Sequence, residues 1–140
     1  MKDATAIAMQ NIFLAKETEQ KTLQQETVLA GVKALLADVT KGFYLIAEEN
    51  GKVIGQTMIT IEWSDWRNKP IWWVQSVFVQ KEWRRKQVFT HLLQTIQRRA
   101  QKQGVAFLRL YVHNENRSAA SVYEKSGWAQ EAYTLYRHLV

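Results

Sequence analysis

The segment from Ile71 to Val79, IWWVQSVFV, restricts the possible folds of this chain more than any other feature. It is apolar almost throughout, whereas a strand with one solvated face alternates between apolar and polar residues. A strand of this composition is expected to be covered on both faces. The sequence therefore predicts a sheet with packed layers on its two sides.

Helical and strand patterns surround this strand in a simple order. Two amphipathic helices come first, and the Asn50-Gly51 pair, typical of tight hairpins, joins the first two strands. The meander predicts antiparallel pairing, and the later strand–helix–strand crossover predicts one parallel pair. We therefore expect an α/β fold with helices on both faces. The predicted ranges are helices at 4–16, 26–38, 89–100 and from 119, and strands at 43–48, 53–63, 71–79, 105–112 and 133–139.

Composition places the chain among soluble globular proteins. Its 140 residues fit one domain, 1–140, and 46% of them are hydrophobic while 23% are charged. Cysteine is absent and the three histidines lack metal-site spacing, so neither a disulfide nor a metal is expected. We recognise no membrane span and no secretory signal, which predicts a cytoplasmic protein without membrane association.

The formal net charge of +6 favours an anionic partner. Nucleic acid is one such partner, but no helix-turn-helix or RNP-like pattern is present, so nucleic-acid binding is not expected. Phosphate on a small molecule is another. The exposed basic residues of the third predicted helix are typical of a solvated helix face.

Basic residues crowd the junction between the central strand and the third helix. Arg84, Arg85 and Lys86 stand where the strand ends and the helix is about to start. The first N–H groups of a helix have no partner within the helix, and the helix dipole adds positive charge there. The junction therefore predicts a phosphate site, although a merely solvated basic turn has the same residues.

A second motif lies one helix and one strand later. The residues from Asn116 to Trp128 follow the pattern Asn-x-x-Ala-x-x-x-Tyr-Glu-Lys-x-Gly-aromatic. Together with the basic junction, this pattern resembles the GNAT superfamily of acyl-CoA-dependent N-acyltransferases, over most of the chain. The resemblance implies a mixed, mostly antiparallel sheet with splayed central strands. It also implies transfer of an acetyl group from acetyl-CoA to the primary amine of a small molecule, by direct attack in a ternary complex.

The resemblance also implies roles for individual residues. The strand residues Val77, Phe78 and Val79 would offer main-chain hydrogen bonds to the pantetheine arm. Asn116 matches an asparagine that contacts that arm, and Tyr123 matches a tyrosine that protonates the leaving thiolate. The pyrophosphate would lie on the junction formed by Arg84, Arg85, Lys86, Gln87, Val88, Phe89 and Thr90.

The chain departs from the family pattern at this junction. Gln87 stands where the family has its first glycine, and Phe89 stands where it has glycine or alanine. We expect both residues to adopt ordinary helical φ/ψ angles, which need no glycine, and the Phe89 ring to point into the core.

The acceptor end of the site is less defined. Glu62 and Asp65 are the acidic residues nearest in sequence to the central strand, and Glu17 and Glu19 end the first helix. Each is a candidate base or acceptor contact, and each has a surface carboxylate as its alternative. Among the residues of one hairpin, Trp63 and Trp66 are candidates for the walls of an acceptor site.

Two alternatives remain open at this point. The chain could keep the fold and bind CoA without catalysis, since Gln75 stands where the family often has a carboxylate. The chain also lacks the strand with which similar proteins begin, so the sheet has either one strand fewer or an open edge. An open edge pairs readily with another strand, which makes a homodimer one expectation.

Overall fold

The computed structural model describes residues 1–140 and confirms the predicted α/β fold. None of its helices combines the length and the apolar composition needed to cross a membrane. Its first element is a helix. The elements are α1 (Ala4–Glu19), α2 (Gln25–Leu36), β1 (Phe43–Glu49), β2 (Lys52–Ser64), β3 (Lys69–Val79), a 3₁₀ turn (Lys81–Trp83), α3 (Val88–Lys102), β4 (Leu108–Arg109) and α4 (Arg117–Lys125).

The four strands form one mixed sheet in the order β1-β2-β3-β4. Strands β1, β2 and β3 pair antiparallel, and β3 and β4 pair parallel, as the meander and the crossover predict. Asn50 and Gly51, the two residues between β1 and β2, both have positive φ angles, of 49° and 74°. These angles match the tight turn that an Asn-Gly pair favours.

Helices cover both faces of the sheet. On β1, Phe43 and Leu45 pack on the side of α3, whereas Tyr44 and Ile46 pack against α1 and α2. The core on the α3 side is centred on Trp72, whose side chain is only 2% exposed. Alternating side chains thus fill two separate layers, which explains the nearly continuous apolar run of the central strand.

A β-bulge interrupts β3 at Ser76, which has a φ angle of 50°. Met58 pairs with Gln75 and Gln56 pairs with Phe78, so β3 carries one more residue than β2 between these pairs. An extra residue reverses the alternation of side chains beyond it. Val77 therefore packs on the α3 side, as Val74 does before the bulge.

Strands β3 and β4 part soon after they meet. Only Trp72 with Leu108 and Trp73 with Arg109 are paired, so β4 is much shorter than the predicted strand 105–112. Beyond Trp73 the two backbones diverge, which leaves the rest of β3 without a partner on this side. The splayed central strands implied by the family resemblance are thus present.

The predicted last strand, 133–139, does not form. No backbone hydrogen bond joins residues 129–140 to the rest of the chain. The segment is fixed at its root instead, where Arg109 donates to Glu131 from Nε at 2.8 Å. The apolar residues at 133–139 predicted a strand, but a strand needs a neighbour within hydrogen-bonding distance, and this segment has none.

Candidate functional site

A cleft of about 500 Å³ opens where β3 and β4 diverge. The start of α3 and the start of α4 line it on one face of the sheet, and Leu14, Glu17 and Thr18 of α1 line it on the other. It therefore reaches through the sheet. The predicted site residues that line it are Val77, Phe78, Val79, Arg84, Arg85, Gln87, Val88, Phe89, Thr90, Asn116 and Tyr123.

The β3 wall presents free backbone groups to the cleft. Gln80 donates its backbone N–H to the Ile54 carbonyl of β2 at 2.9 Å. Because backbone groups alternate along a strand, those of Val79 and Val77 point away from β2, into the cleft; the Val79 carbonyl accepts from Arg84 Nε at 2.9 Å, which leaves the Val79 N–H and both groups of Val77 free. The backbone groups of Phe78 point toward β2, so Phe78 contributes its ring rather than its main chain.

The first turn of α3 offers unpaired N–H groups. The helix begins at Val88, and no side chain caps it. Its first intrahelical contact is the bond from the His91 N–H to the Gln87 carbonyl at 2.9 Å. The N–H groups of Val88, Phe89 and Thr90 therefore have no partner in the helix, beside a turn that carries arginine side chains. This arrangement suits an anion.

The turn itself adopts left-handed backbone angles. Gln87, the residue before the helix, has φ 65° and ψ 6°, and Arg85 has φ 63°. The expectation that Gln87 has helical angles is wrong: it adopts the conformation that glycine provides without strain. Phe89 is inside the helix, and its ring packs against the core, as expected.

We expect Gln87→Gly to leave stability unchanged or raise it, by up to about 1 kcal/mol, since relief of strain outweighs the added flexibility of glycine. Gln103→Gly is the matched control, because Gln103 flanks the other end of α3 with φ −95°. That control should lose about 0.5–1 kcal/mol. Urea denaturation measures both free energies of unfolding, and an equal loss in the two variants would contradict the strain at Gln87.

Arg84 lines the cleft but is held by the protein. Its Nε donates to the Val79 carbonyl oxygen at 2.9 Å, and its Nη2 donates to Oε2 of Glu17 at 2.7 Å. The guanidinium also lies over the Phe78 ring, 5.5 Å from the centroid. Lys86, unlike Arg84 and Arg85, does not line the cleft. Its ammonium lies over the Trp83 ring, 4.9 Å from the centroid.

Tyr123 lies in α4 with its ring between two other aromatic rings. Its centroid is 5.5 Å from that of Phe89 and 5.6 Å from that of Trp128, both edge to face. Such pairs fix the orientation of a ring. Burial raises the pKa of Tyr123 to about 12, because the phenolate would lose its hydration. The phenol therefore stays protonated and can donate a hydrogen bond.

Asn116 is the residue before α4 and caps this helix. Its Oδ1 accepts the backbone N–H of Ala119 at 3.2 Å. The cap uses the oxygen and leaves the side-chain NH₂ as a donor at the edge of the cleft.

The structure does not bring most of the acceptor candidates to the cleft. Glu62 accepts from the Trp73 indole at 2.6 Å, and the side chain of Asp65 binds its own loop. Trp63 and Trp66 are 62% and 86% exposed. Because Trp63 pairs with Pro70, seven positions before Val77, the hairpin end lies roughly 20 Å along the strand from the cleft.

Glu17, rather than Glu19, reaches the site. Glu19 pairs with Lys21 and lines neither the cleft nor the adjoining groove. Sequence reasoning did not identify Leu14 and Thr18, which lie one helical turn apart on the same face as Glu17. That spacing places the three residues on one face of the helix, and it indicates a cleft wall once α1 is known to cross β3.

Comparison with known proteins agrees with this geometry. Residues 7–128 match the model of the acetyltransferase (GNAT) family. An uncharacterised N-acetyltransferase, YhfO of Bacillus subtilis (strain 168), is 32% identical over 111 residues, which are 77% of this chain and 74% of that protein.

Solved structures show the same fold. A possible acetyltransferase from Clostridium difficile 630 has a TM-score of 0.94 and 43% identity, over 100% of this chain and 93% of that one. A probable acetyltransferase has a TM-score of 0.84 at 20% identity, over 100% of this chain and 93% of that one. The cleft is open between splayed strands, and the family match spans both the basic junction and the motif from Asn116 to Trp128. The chain therefore belongs to the GNAT family of acetyltransferases.

Proposed function

We propose that this protein transfers an acetyl group from acetyl-CoA to the primary amine of a small molecule. The observation that carries the proposal is the cleft that passes through the sheet. Unpaired helix N–H groups lie at one part of this cleft and a half-buried phenol at another, with free strand amides between them. A chain with these three features can bind a phosphorylated thioester in an extended form.

The described residues fit such a cofactor. The uncapped first turn of α3 would hold the pyrophosphate, with Arg85 at its side. The backbone groups of Val77 and the N–H of Val79 would pair with the amides of the pantetheine arm, as a neighbouring strand would. The Asn116 side-chain NH₂ would donate to the same arm.

The cofactor supplies an activated acyl group as a thioester. The Val77 N–H, freed by the adjacent bulge, would donate to the carbonyl oxygen as negative charge develops there. Tyr123 would donate its hydroxyl proton in a hydrogen bond toward the departing sulfur. The walls of the cleft would hold the amine and the acyl carbon together, which is the remaining source of rate enhancement.

No side chain is placed as a general base. Glu17 is the only acidic residue that lines the cleft, and its carboxylate is paired with Arg84. We therefore propose that the amine loses its proton to solvent through the open side of the cleft and reacts in its neutral form.

A thiol-release assay with acetyl-CoA and a panel of primary amines tests the proposal. We expect free thiol to appear only with particular amines, and calorimetry to show binding of CoA. Binding of CoA without turnover of any amine would indicate instead a noncatalytic CoA-binding module. Absence of CoA binding would overturn the proposed function.

A further inference from the structure

Glu17 stands between two cavities at the end of α1. One cavity is the cleft, and the other is a groove of about 620 Å³ bounded by α1 and the 3₁₀ turn. The Glu17 carboxylate accepts a hydrogen bond from Arg84 at 2.7 Å and lies 3.6 Å from the Lys81 ammonium. Two cations beside the anion-binding turn are thus already partnered by an anion of the protein itself.

The ion pair between Arg84 and Glu17 contributes too little to the stability of the fold to explain its position at the cleft. The side chains of Arg84 and Glu17 are 41% and 32% exposed, and an ion pair with this exposure adds little to stability, because solvent screens its charges. A carboxylate at the mouth of a phosphate site also opposes binding. Like charges this close to one another repel, and solvent screens the repulsion only in part.

The Arg84–Glu17 contact is easily exchanged for another anion. Arginine binds phosphate oxygens with charge-assisted hydrogen bonds at least as good as those to a carboxylate. The bond from Arg84 Nε to the Val79 carbonyl keeps the guanidinium beside the cleft whichever anion it holds. A change of partner therefore needs only a small movement of the guanidinium.

We propose that Glu17 sets the affinity and the exit rate of the cofactor by competing with its phosphates for Arg84, an inference that rests on the proposed function. The carboxylate weakens binding, and it takes Arg84 back when the product CoA leaves. Product release limits the turnover of many enzymes, so a residue that speeds release can raise kcat. Glu17 thus acts on the binding and release of the cofactor, and not as a base.

Calorimetry and stopped-flow displacement with CoA test this role in the whole protein. We expect Glu17→Gln to lower the Kd of CoA about fivefold and to slow its dissociation, because about 1 kcal/mol of repulsion and competition is removed. Glu19→Gln is the matched control, since it removes the same charge from the end of the same helix. Its Kd should stay within about twofold of the wild-type value.

The Arg84→Gln background tells whether Glu17 acts through Arg84. There the gain from Glu17→Gln should shrink to less than about twofold. A full gain in that background would overturn the competition for Arg84. A Kd for Glu17→Gln equal to or weaker than that of the wild-type protein would also overturn the inference, and would leave the proposed function intact. A wild-type protein that binds no CoA would overturn the proposed function itself.

Discussion

Replacement of Tyr123 with phenylalanine is expected to lower kcat by about 10²–10³-fold, the usual cost of removing one hydrogen-bond donor to developing charge. The Kd of CoA should change little, because Phe89 and Trp128 contact the ring rather than the hydroxyl and will hold a phenylalanine ring in the same place. Turnover measured by thiol release and affinity measured by calorimetry separate the two effects. Unchanged turnover would remove Tyr123 from the mechanism.

Tyr44→Phe is the matched control for this substitution. Tyr44 is another buried tyrosine whose pKa burial raises, but it lies under α1, where its hydroxyl accepts from Asn11. We expect Tyr44→Phe to cost about 1 kcal/mol of stability, from the lost hydrogen bond, and to keep its kcat. Loss of turnover in both variants would mean that the hydroxyl of Tyr123, like that of Tyr44, is needed for the fold rather than for the reaction.

The pKa of Tyr123 also predicts the pH dependence of the reaction. With a folded pKa of about 12, the phenol stays protonated below pH 10, and it is a weaker acid than a thiol with a pKa near 8.5. It therefore acts as a hydrogen-bond donor rather than a strong acid. A raised pKa stabilises the fold below the ordinary tyrosine pKa, and this contribution disappears as the pH rises through 12. We expect no fall in kcat from this residue between pH 8 and 10, which a pH–rate profile checks.

Much of the fold follows from local patterns in the sequence. The hairpin at Asn50-Gly51, the buried strand and the amphipathic third helix each depend on residues close together in the chain. The order of these elements then restricts the sheet to a meander with one crossover. The part of the cleft at the start of α3 was predictable for the same reason, because strand, turn and helix follow one another without interruption.

The remaining features depend on tertiary contacts. Nothing in the residues around Ser76 indicates a bulge, since its position follows from the pairing of β3 with β2. Gln87 gives no sign of left-handed angles, because glutamine has no preference for them, and an ordinary helical turn is therefore expected there. The candidates Trp63 and Trp66 are close to the central strand in sequence, yet the length of β2 and β3 carries them away from the cleft.

Replacement of Gly42 with alanine is expected to cost about 3–5 kcal/mol of stability. Gly42 has a φ angle of 135°, which only glycine adopts without strain. A Cβ atom there would lie 2.0 Å from the Ile59 carbonyl oxygen, and a backbone atom cannot move aside as a side chain can. The loss is a large part of the roughly 5–15 kcal/mol that stabilises a typical domain.

Gly104→Ala isolates the steric part of this cost. Gly104 also has a positive φ angle, of 67°, but a Cβ atom there would meet nothing within 4 Å. That variant should lose only about 1 kcal/mol, from backbone strain. Urea denaturation of the two variants compares their free energies of unfolding, and equal losses would show that the backbone near Ile59 relaxes. Ile59 pairs with Val74 of β3, two residues before the bulge at Ser76, and the end of β3 lines the cleft, so a displacement of Ile59 would also shift a wall of the cleft. A Gly42→Ala protein that still folds should therefore also bind CoA more weakly than Gly104→Ala.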